Sequence, residues 1–227
     1  MIITIDGPAG SGKSSLAKKL AKELGFIHLN TGLLYRASAK IFLDKGLLLA
    51  SDLTLPVLTQ ADVDLLEEIH LEALLGQLKV FVLEQDLTDM LNCVPFDSLS
   101  AVVAANFMVR QKVVQLQRAA AQKANLVIDG RDCGTVVFPD ATLKIFLTAS
   151  PQMRAWRVAK RNFENNPTAE QIAVIAEQIA LRDKRDATRV FSPLVPAKDA
   201  IILDNSNLNA AETLAKAKQI ALEHKLI

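Results

Sequence analysis

The segment that most constrains this chain lies at its start, where the apolar "MIITID" runs into "GPAGSGKSS" and then into "LAKKLAKEL", with leucine and alanine at helical spacing. The pattern predicts a strand, a glycine loop and a helix, in that order. Gly7, Gly12, Lys13 and Ser14 satisfy G-x-x-x-x-G-K-[ST] in the setting that gives the pattern meaning. A loop of Gly7, Pro8, Ala9, Gly10, Ser11 and Gly12 can wrap its backbone around a phosphate at a helix N-terminus, where unsatisfied donors and the dipole favour an anion. Lys13 supplies a point charge to the β and γ oxygens, the Ser14 hydroxyl completes the coordination of a Mg2+ that arrives with ATP, and Ser15 ends the expected ATP-binding segment.

The rest of the chain alternates in the same way. Gly25 stops the first helix, "FIHLN" reads as a strand and "GLLYRASAKIFLDKG" as a helix up to Gly46. "LVIDG", "ATLKIFLTA" and "AIILD" are further strands. After the second of them Ser150 caps a helix that has Pro151 at its first position and is expected to run through about Asn165, with Trp156 in the core. "TAEQ" opens another helix as a capping box, and "NAAETLAKAKQIALEH" is the last. Strands joined by helical crossovers imply a parallel sheet with both faces covered, a three-layer α/β fold of the P-loop NTPase type. Between about 51 and 104 the texture changes to an acidic, leucine-rich stretch, followed by "KVFVLEQDLTDML", which alternates weakly like a hairpin. The expected organisation is a P-loop core of 1–50 and 105–227, with a helical lid at about 155–192, and an inserted acceptor-binding domain at about 51–104.

Composition narrows the function. Half of the residues are hydrophobic and 22% charged, as in ordinary globular proteins. With 26 basic against 25 acidic residues, the net charge of +1 leaves no field to track a nucleic-acid polymer or an anionic membrane, so anion binding has to be local. The start lacks a basic region followed by an apolar one, and no apolar run reaches the roughly 18 residues that a bilayer span needs. We therefore expect a cytoplasmic protein and, from its balanced charge, a monomer. Cys93 and Cys133 form no CxxC, and His28, His70 and His224 have no ligand spacing, which argues against a built-in zinc site.

A triphosphate loop alone does not separate a phosphotransferase from a switch or a motor. An N-K-x-D base-recognition segment and a D-x-x-G switch are missing; what the chain offers is arginines. In "LRDKRDATR", Arg182, Asp186 and Arg189 share one face if residues 168–188 are helical, with Arg185 close by. Such a helix can close over a triphosphate and stabilise charge on the group in transit. A kinase of a small phosphorylated acceptor needs a second anion site, for which Arg36 and Arg131 stand near a helix start and a strand end. The planar fork of arginine suits the task.

"ITIDGPAGSGKSSLAKKLA", "NTGLLYRA", "DGRDCGTVVFPDATLKIFLTAS" and "RDKRDATRVFSPLVPAKDAIILDNS" together resemble the bacterial cytidylate kinases, P-loop enzymes that phosphorylate CMP and dCMP with Mg-ATP. The likeness covers nearly the whole chain. It implies that Arg131 holds the acceptor phosphate with Arg36, that Asp132 meets the cytosine, and that Thr31 and Tyr35 line the same site. It further implies that Arg110 contacts the base, that Arg182, Asp186 and Arg189 form the lid cluster, and that Arg157 stands near the transferred phosphoryl group. An acid at position 132 is sound chemistry for cytosine, whose exocyclic amine donates where uracil presents a carbonyl.

The chain departs from that pattern at a few positions. Asn30 replaces an acid before the Thr-Gly pair, and the serine that helps to read the base aligns with Ala101, beside Ser100. Val158 replaces a second arginine after Arg157, and Asn92 replaces the arginine that ends the flap's hairpin. The expected activity is transfer of the γ-phosphoryl group of ATP to CMP or dCMP. UMP or a small metabolite as acceptor, and a non-catalytic nucleotide-binding regulator, are the alternatives.

Overall fold

The computed structural model describes residues 1–49, 54–92, 95–163 and 166–224, and for 92, 95, 97 and 98 the backbone alone. Cys93, Asn165 and the side chain of Asn92 thus lie outside the described residues. In chain order the elements are β1 (Ile2–Asp6), α1 (Lys13–Leu24), β2 (Ile27–Asn30), α2 (Thr31–Asp44), α3 (Gln60–Asp64), β3 (Ile69–Leu74), β4 (Gln77–Val82), β5 (Gln85–Asp86), α4 (Pro95–Val103) and α5 (Phe107–Ala121). There follow β6 (Leu126–Gly130), β7 (Leu143–Thr148), α6 (Pro151–Asn162), α7 (Ala169–Thr188), β8 (Ile201–Asp204) and α8 (Ala210–Glu223).

The expected caps form. Ser150 Oγ accepts the Met153 N–H at 3.3 Å with Pro151 behind it, and Thr168 and Gln171 close a reciprocal capping box at 2.9 and 3.2 Å. Helix α6 ends at Asn162, short of the limit expected from the sequence. Trp156 is not in the core as expected: it is 42% exposed, with the Lys160 ammonium 4.8 Å from its ring centre. The reason is the face it occupies. Arg154, Ala155 and Ala159 take the buried side of α6, leaving Trp156 outside.

The fold is mixed α/β with a mostly parallel sheet, and the chain divides into two compact units, Met1–Leu24 with Val127–Ile227, and Gly25–Leu126. In the first unit the strands run in the order β6, β1, β7, β8, with β1 parallel to β7 and β7 parallel to β8. Their fully buried Ile3, Ile5, Val127, Ile128 and Leu147 read as continuous apolar runs because strands covered on both faces have no wet side. Ligands of open α/β sheets gather beyond the carboxyl ends of such strands, where Asp6, Gly130, Thr148 and Asp204 deliver the chain into loops.

In the second unit β3 and β4 form an antiparallel hairpin with Ile69 opposite Val82, β5 extends it from β4, and β2 joins β4 in parallel at His28. The hairpin expected at residues 79–91 is the short β4–β5 pair, whereas the longer ladder uses "IHLEAL", read in the sequence only as part of a leucine-rich stretch. Strand β3 is exposed over its last half, so its burial does not alternate and no period of two could announce it.

Helices α2, α4 and α5 share one core with these strands, made of Phe42, Leu66, Ile69, Val80, Leu91, Leu99, Val103 and Val113 among others. This common core is why the unit spans Gly25–Leu126 and is wider than the 51–104 insertion expected from composition. Phe42 is fully buried at its centre. Replacing it by alanine removes apolar area and leaves a cavity, so Phe42→Ala should lower unfolding stability by about 3–5 kcal/mol. A urea titration should show a correspondingly lower midpoint.

Candidate active site

All groups in this and the next two paragraphs belong to the first unit. The loop after β1 is shaped by positions that admit no side chain: at Gly7 a Cβ would overlap the Leu147 carbonyl oxygen. At Gly10, with φ of 73°, it would lie 2.9 Å from the Arg154 carbonyl oxygen and 3.2 Å from Val158. Val158, where the family pattern suggests arginine, therefore packs against the loop itself. The loop ends in α1, whose first residue is Lys13. The Lys13 ammonium is buried and donates to the Pro8 carbonyl at 3.1 Å. Burial, and then the nearby Arg131 guanidinium, push its pKa well below the ordinary lysine value, with Asp129 acting against them. Ser14 Oγ donates to Asp129 Oδ2 at 2.5 Å. Among the described residues no three His, Cys, Asp or Glu side chains form a metal cage, yet this hydroxyl–carboxylate pair offers the hard oxygens that suit a hydrated Mg2+. Ser11 is buried, while Gly12 and Ser15 are exposed.

After β6 the chain makes Arg131, Asp132 and one π turn over Cys133–Val137. What fixes this turn is Asp6, at the end of β1, whose carboxylate accepts the Cys133 N–H at 2.9 Å and the Gly134 N–H at 2.7 Å. Burial raises the Asp6 carboxyl above its usual range although those two N–H groups pull it down. Gly134 has no room for a Cβ, which would stand 2.9 Å from Thr4 Oγ1. The Cys133 thiol is pushed well up by burial and by Asp6, which makes it a buried filler rather than a nucleophile. Arg131 Nε donates to Asp186 Oδ2 at 2.8 Å, while Arg189 lies 3.8 Å from Asp132 and 3.9 Å from Asp186. Arg182 adds its field to both Lys13 and Asp186.

The charged face expected on α7 forms, with one correction. The helix stops at Thr188, and Arg189 is its extended C-cap, held by its own bond to the Ser192 carbonyl, so it reaches Asp186 by a turn of the chain and not along the helix. Arg185 is exposed and outside the cluster. Arg157 is engaged elsewhere: its guanidinium donates to the Asn205 side chain at 2.8 Å, to the Asn205 and Leu208 carbonyls at 2.7 and 3.2 Å, and to the Ser11 carbonyl at 3.4 Å. Arg131, Arg182, Asp186 and Arg189 are not among its hydrogen-bond partners.

The second unit carries the other expected residues. Asn30 Oδ1 accepts the Gly32 N–H at 3.0 Å and caps α2, a task that asparagine performs as well as an acid. Thr31 and Tyr35 are buried on that helix, and Arg36 is partly so. The Arg110 guanidinium lies over the Tyr35 ring at 5.5 Å and donates to the Ala104 carbonyl at 3.1 Å, a buried placement with its charge on the aromatic face. On α4 Ser100 is buried and Ala101 only partly so.

Sequence reasoning assigned no role to Asp6, Asp183 or Asn205. Asp6 does carry a signal, a polar residue at the end of a predicted strand, and Asn205 directly follows one. Asn205 Nδ2 donates to the Ser11 carbonyl at 3.1 Å, bracing the glycine loop from behind. Asp183 has no such signal.

The sequence matches the cytidylate kinase family profile over residues 3–223. It is 38% identical to a cytidylate kinase of Exiguobacterium sibiricum, over 96% of either chain. It is 42% identical to a cytidylate kinase of Pelotomaculum thermopropionicum, over 91% of this chain and 89% of that one. Among solved structures the shikimate kinase of Bacteroides thetaiotaomicron shares the fold, with a TM-score of 0.51 at 11% identity over 99% of this chain and 98% of that one.

Burial drives the Asp186 carboxyl up, but Arg131, Arg182 and Arg189 outweigh it and hold the group below the ordinary carboxylate value. A depressed folded-state pKa gives stability that is present above the unfolded pKa of about 3.9 and is lost as pH falls through the folded one. The stability difference between wild type and Asp186→Asn should accordingly be flat above about pH 5 and shrink in wild type's disfavour below about pH 4. Urea unfolding of both proteins across acid pH measures it.

Proposed function

The chain belongs to the cytidylate kinase family, whose members are ATP-dependent phosphotransferases, and on that premise we propose that it transfers the γ-phosphoryl group of ATP to CMP and dCMP, releasing ADP with CDP or dCDP. The observation that carries the reading is the joining of a glycine loop and Lys13 to a turn of partly buried Arg131 and buried Asp132 in one compact unit. An acceptor phosphate oxygen bonds to the γ phosphorus, the bond from that phosphorus to the β–γ bridging oxygen breaks, and ADP keeps the electron pair. The acceptor is already an anion, so no general base is needed. Catalysis reduces to alignment, charge neutralisation and exclusion of water.

In this reading the Gly7–Ser15 loop and the Lys13 ammonium hold the triphosphate, with the polar backbone groups of Ala9 taken up by Asp183 and Arg154. Ser14 and Asp129 would hold Mg2+, which would supply charge neutralisation on the triphosphate. Arg131 and Arg36 grip the acceptor phosphate, and Arg182 and Arg189 balance the charge of the group in transit, with Asp186 orienting them. Arg157 serves the same step through its hold on the loop carbonyl of Ser11. Asp132 accepts from the cytosine amine, with Thr31, Tyr35, Ser100 and Arg110 completing recognition. Unit Gly25–Leu126 acts as the acceptor-binding domain and α6–α7 as the lid. Among the described residues no helix is long and apolar enough to cross a membrane, and we place the protein in the cytoplasm as a monomer on its nucleotide chemistry and balanced charge.

ADP formation from Mg-ATP should be rapid with CMP or dCMP, and slow with UMP, AMP or no acceptor. In Asp132→Ala the CMP-over-UMP preference should fall by about tenfold or more, since a lost charged hydrogen bond is worth about 1.5–3 kcal/mol. CMP giving no more ADP than the blank would refute the assignment. An unchanged preference in the variant would move the cytosine contact to Arg110 or Ser100.

A further inference from the structure

Asp183 of α7 is given no part in the roles above, yet it touches the glycine loop. Its Oδ1 accepts the Ala9 N–H at 3.1 Å, and its Oδ2 pairs with Arg154. Arg154, 8% exposed on α6, donates in turn to the Ala9 carbonyl at 2.9 Å and to the Ala149 carbonyl at 3.1 Å. Both polar groups of Ala9 are thus bound into one closed ring with a carboxylate and a guanidinium. Three residues further along the same helix, Asp186 pairs with Arg131 at 2.8 Å.

Helix α7 is therefore fastened at two points about 4.5 Å apart along its axis and on nearly one face, one to the glycine loop and one to the turn after β6. A helix so held cannot roll or tilt without breaking a pair, and Arg182 is the neighbour of the first fastening. Apolar packing already exists here, where Ile175 and Ile179 meet Ala9, Ala155 and Ala159. An ion pair is not needed for adhesion, and a carboxylate beside a loop built for anions is electrostatically adverse. What the pair adds is register.

We propose that Asp183 and Arg154 are positioning residues that transmit the state of the glycine loop to α7 and so set Arg182 for the transfer step. Neither side chain meets the reacting atoms. Two consequences separate this from a merely structural role. Filling the loop should steady α7 through Asp183, and the kinetic loss on removing Asp183 should pass through Arg182.

The test uses wild type, Asp183→Asn, Arg182→Ala, the double variant, and Arg154→Lys, which keeps a cation opposite Asp183 but not the fork. Mg-ADP should slow amide exchange over residues 180–188 severalfold in wild type and much less in Asp183→Asn. With CMP as acceptor, Asp183→Asn should lower kcat by about tenfold while KM for CMP moves by less than about threefold, and it should add less than about twofold once Arg182 is alanine. Arg154→Lys should fall between, and it carries the test if Asp183→Asn fails to fold. Equal slowing in wild type and variant, no slowing in wild type, or kcat losses that multiply in the double variant would each overturn the proposal. The kinetic half rests on the cytidylate kinase reading. A wild type without CMP-dependent ADP formation would refute that reading, and the exchange measurement would then decide the positioning role alone.

Discussion

Cations crowd together in the first unit, and the rest of that unit is arranged around their repulsion. Lys13 feels both Arg131 and Arg182, and its low pKa reflects first its burial and then the Arg131 guanidinium. Three carboxylates answer them. Asp129 takes the Ser14 hydroxyl and opposes the depression of Lys13, Asp186 sits among Arg131, Arg182 and Arg189, and Asp132 faces Arg189. Each is a counter-ion in this cluster and has a further part in the function proposed.

Geometry is imposed on those charges by the backbone. Two N–H groups of the π turn end on Asp6, so the direction in which Arg131 and Asp132 leave the sheet is set by a residue of β1. The same strand continues directly into the glycine loop, so one element registers that loop against the turn that follows β6. Such sharing explains why neither Gly7 nor Gly134 has space for a side chain: each lies where the backbone of one strand end crosses the groups of another.

Much of this was legible in the sequence. The strand–loop–helix order, the Ser150 and Thr168 caps and the turn chemistry around Arg131 each depend on contacts between near neighbours, which leave a local pattern. The β3 ladder escaped because its outer half is solvated, and Trp156 because an aromatic residue on a short helix does not announce its face. The width of the second unit escaped for a further reason. Composition changes at about residue 51, but packing does not, since Phe42 and Val113 lie outside the acidic stretch and inside the same core. Asp183 was invisible because its meaning is set by Ala9 and Arg154, which are remote in sequence.

The departures from the family pattern follow the same division between charge and geometry. Asn30 gives up a charge yet keeps the cap of α2, because the bond to the Gly32 N–H needs an oxygen and not an anion. Val158 gives up a guanidinium and gains packing against Gly10, joining the apolar contacts between α6 and α7. At both positions the side chain present supports the local backbone without carrying a charge. In the function proposed above, catalysis works by alignment, and a charge given up outside the cluster of Lys13, Arg131, Arg182 and Arg189 should cost less than one given up within it. The exchanges that this function should not tolerate are at Lys13 and Arg131, the cations read there as meeting the phosphates.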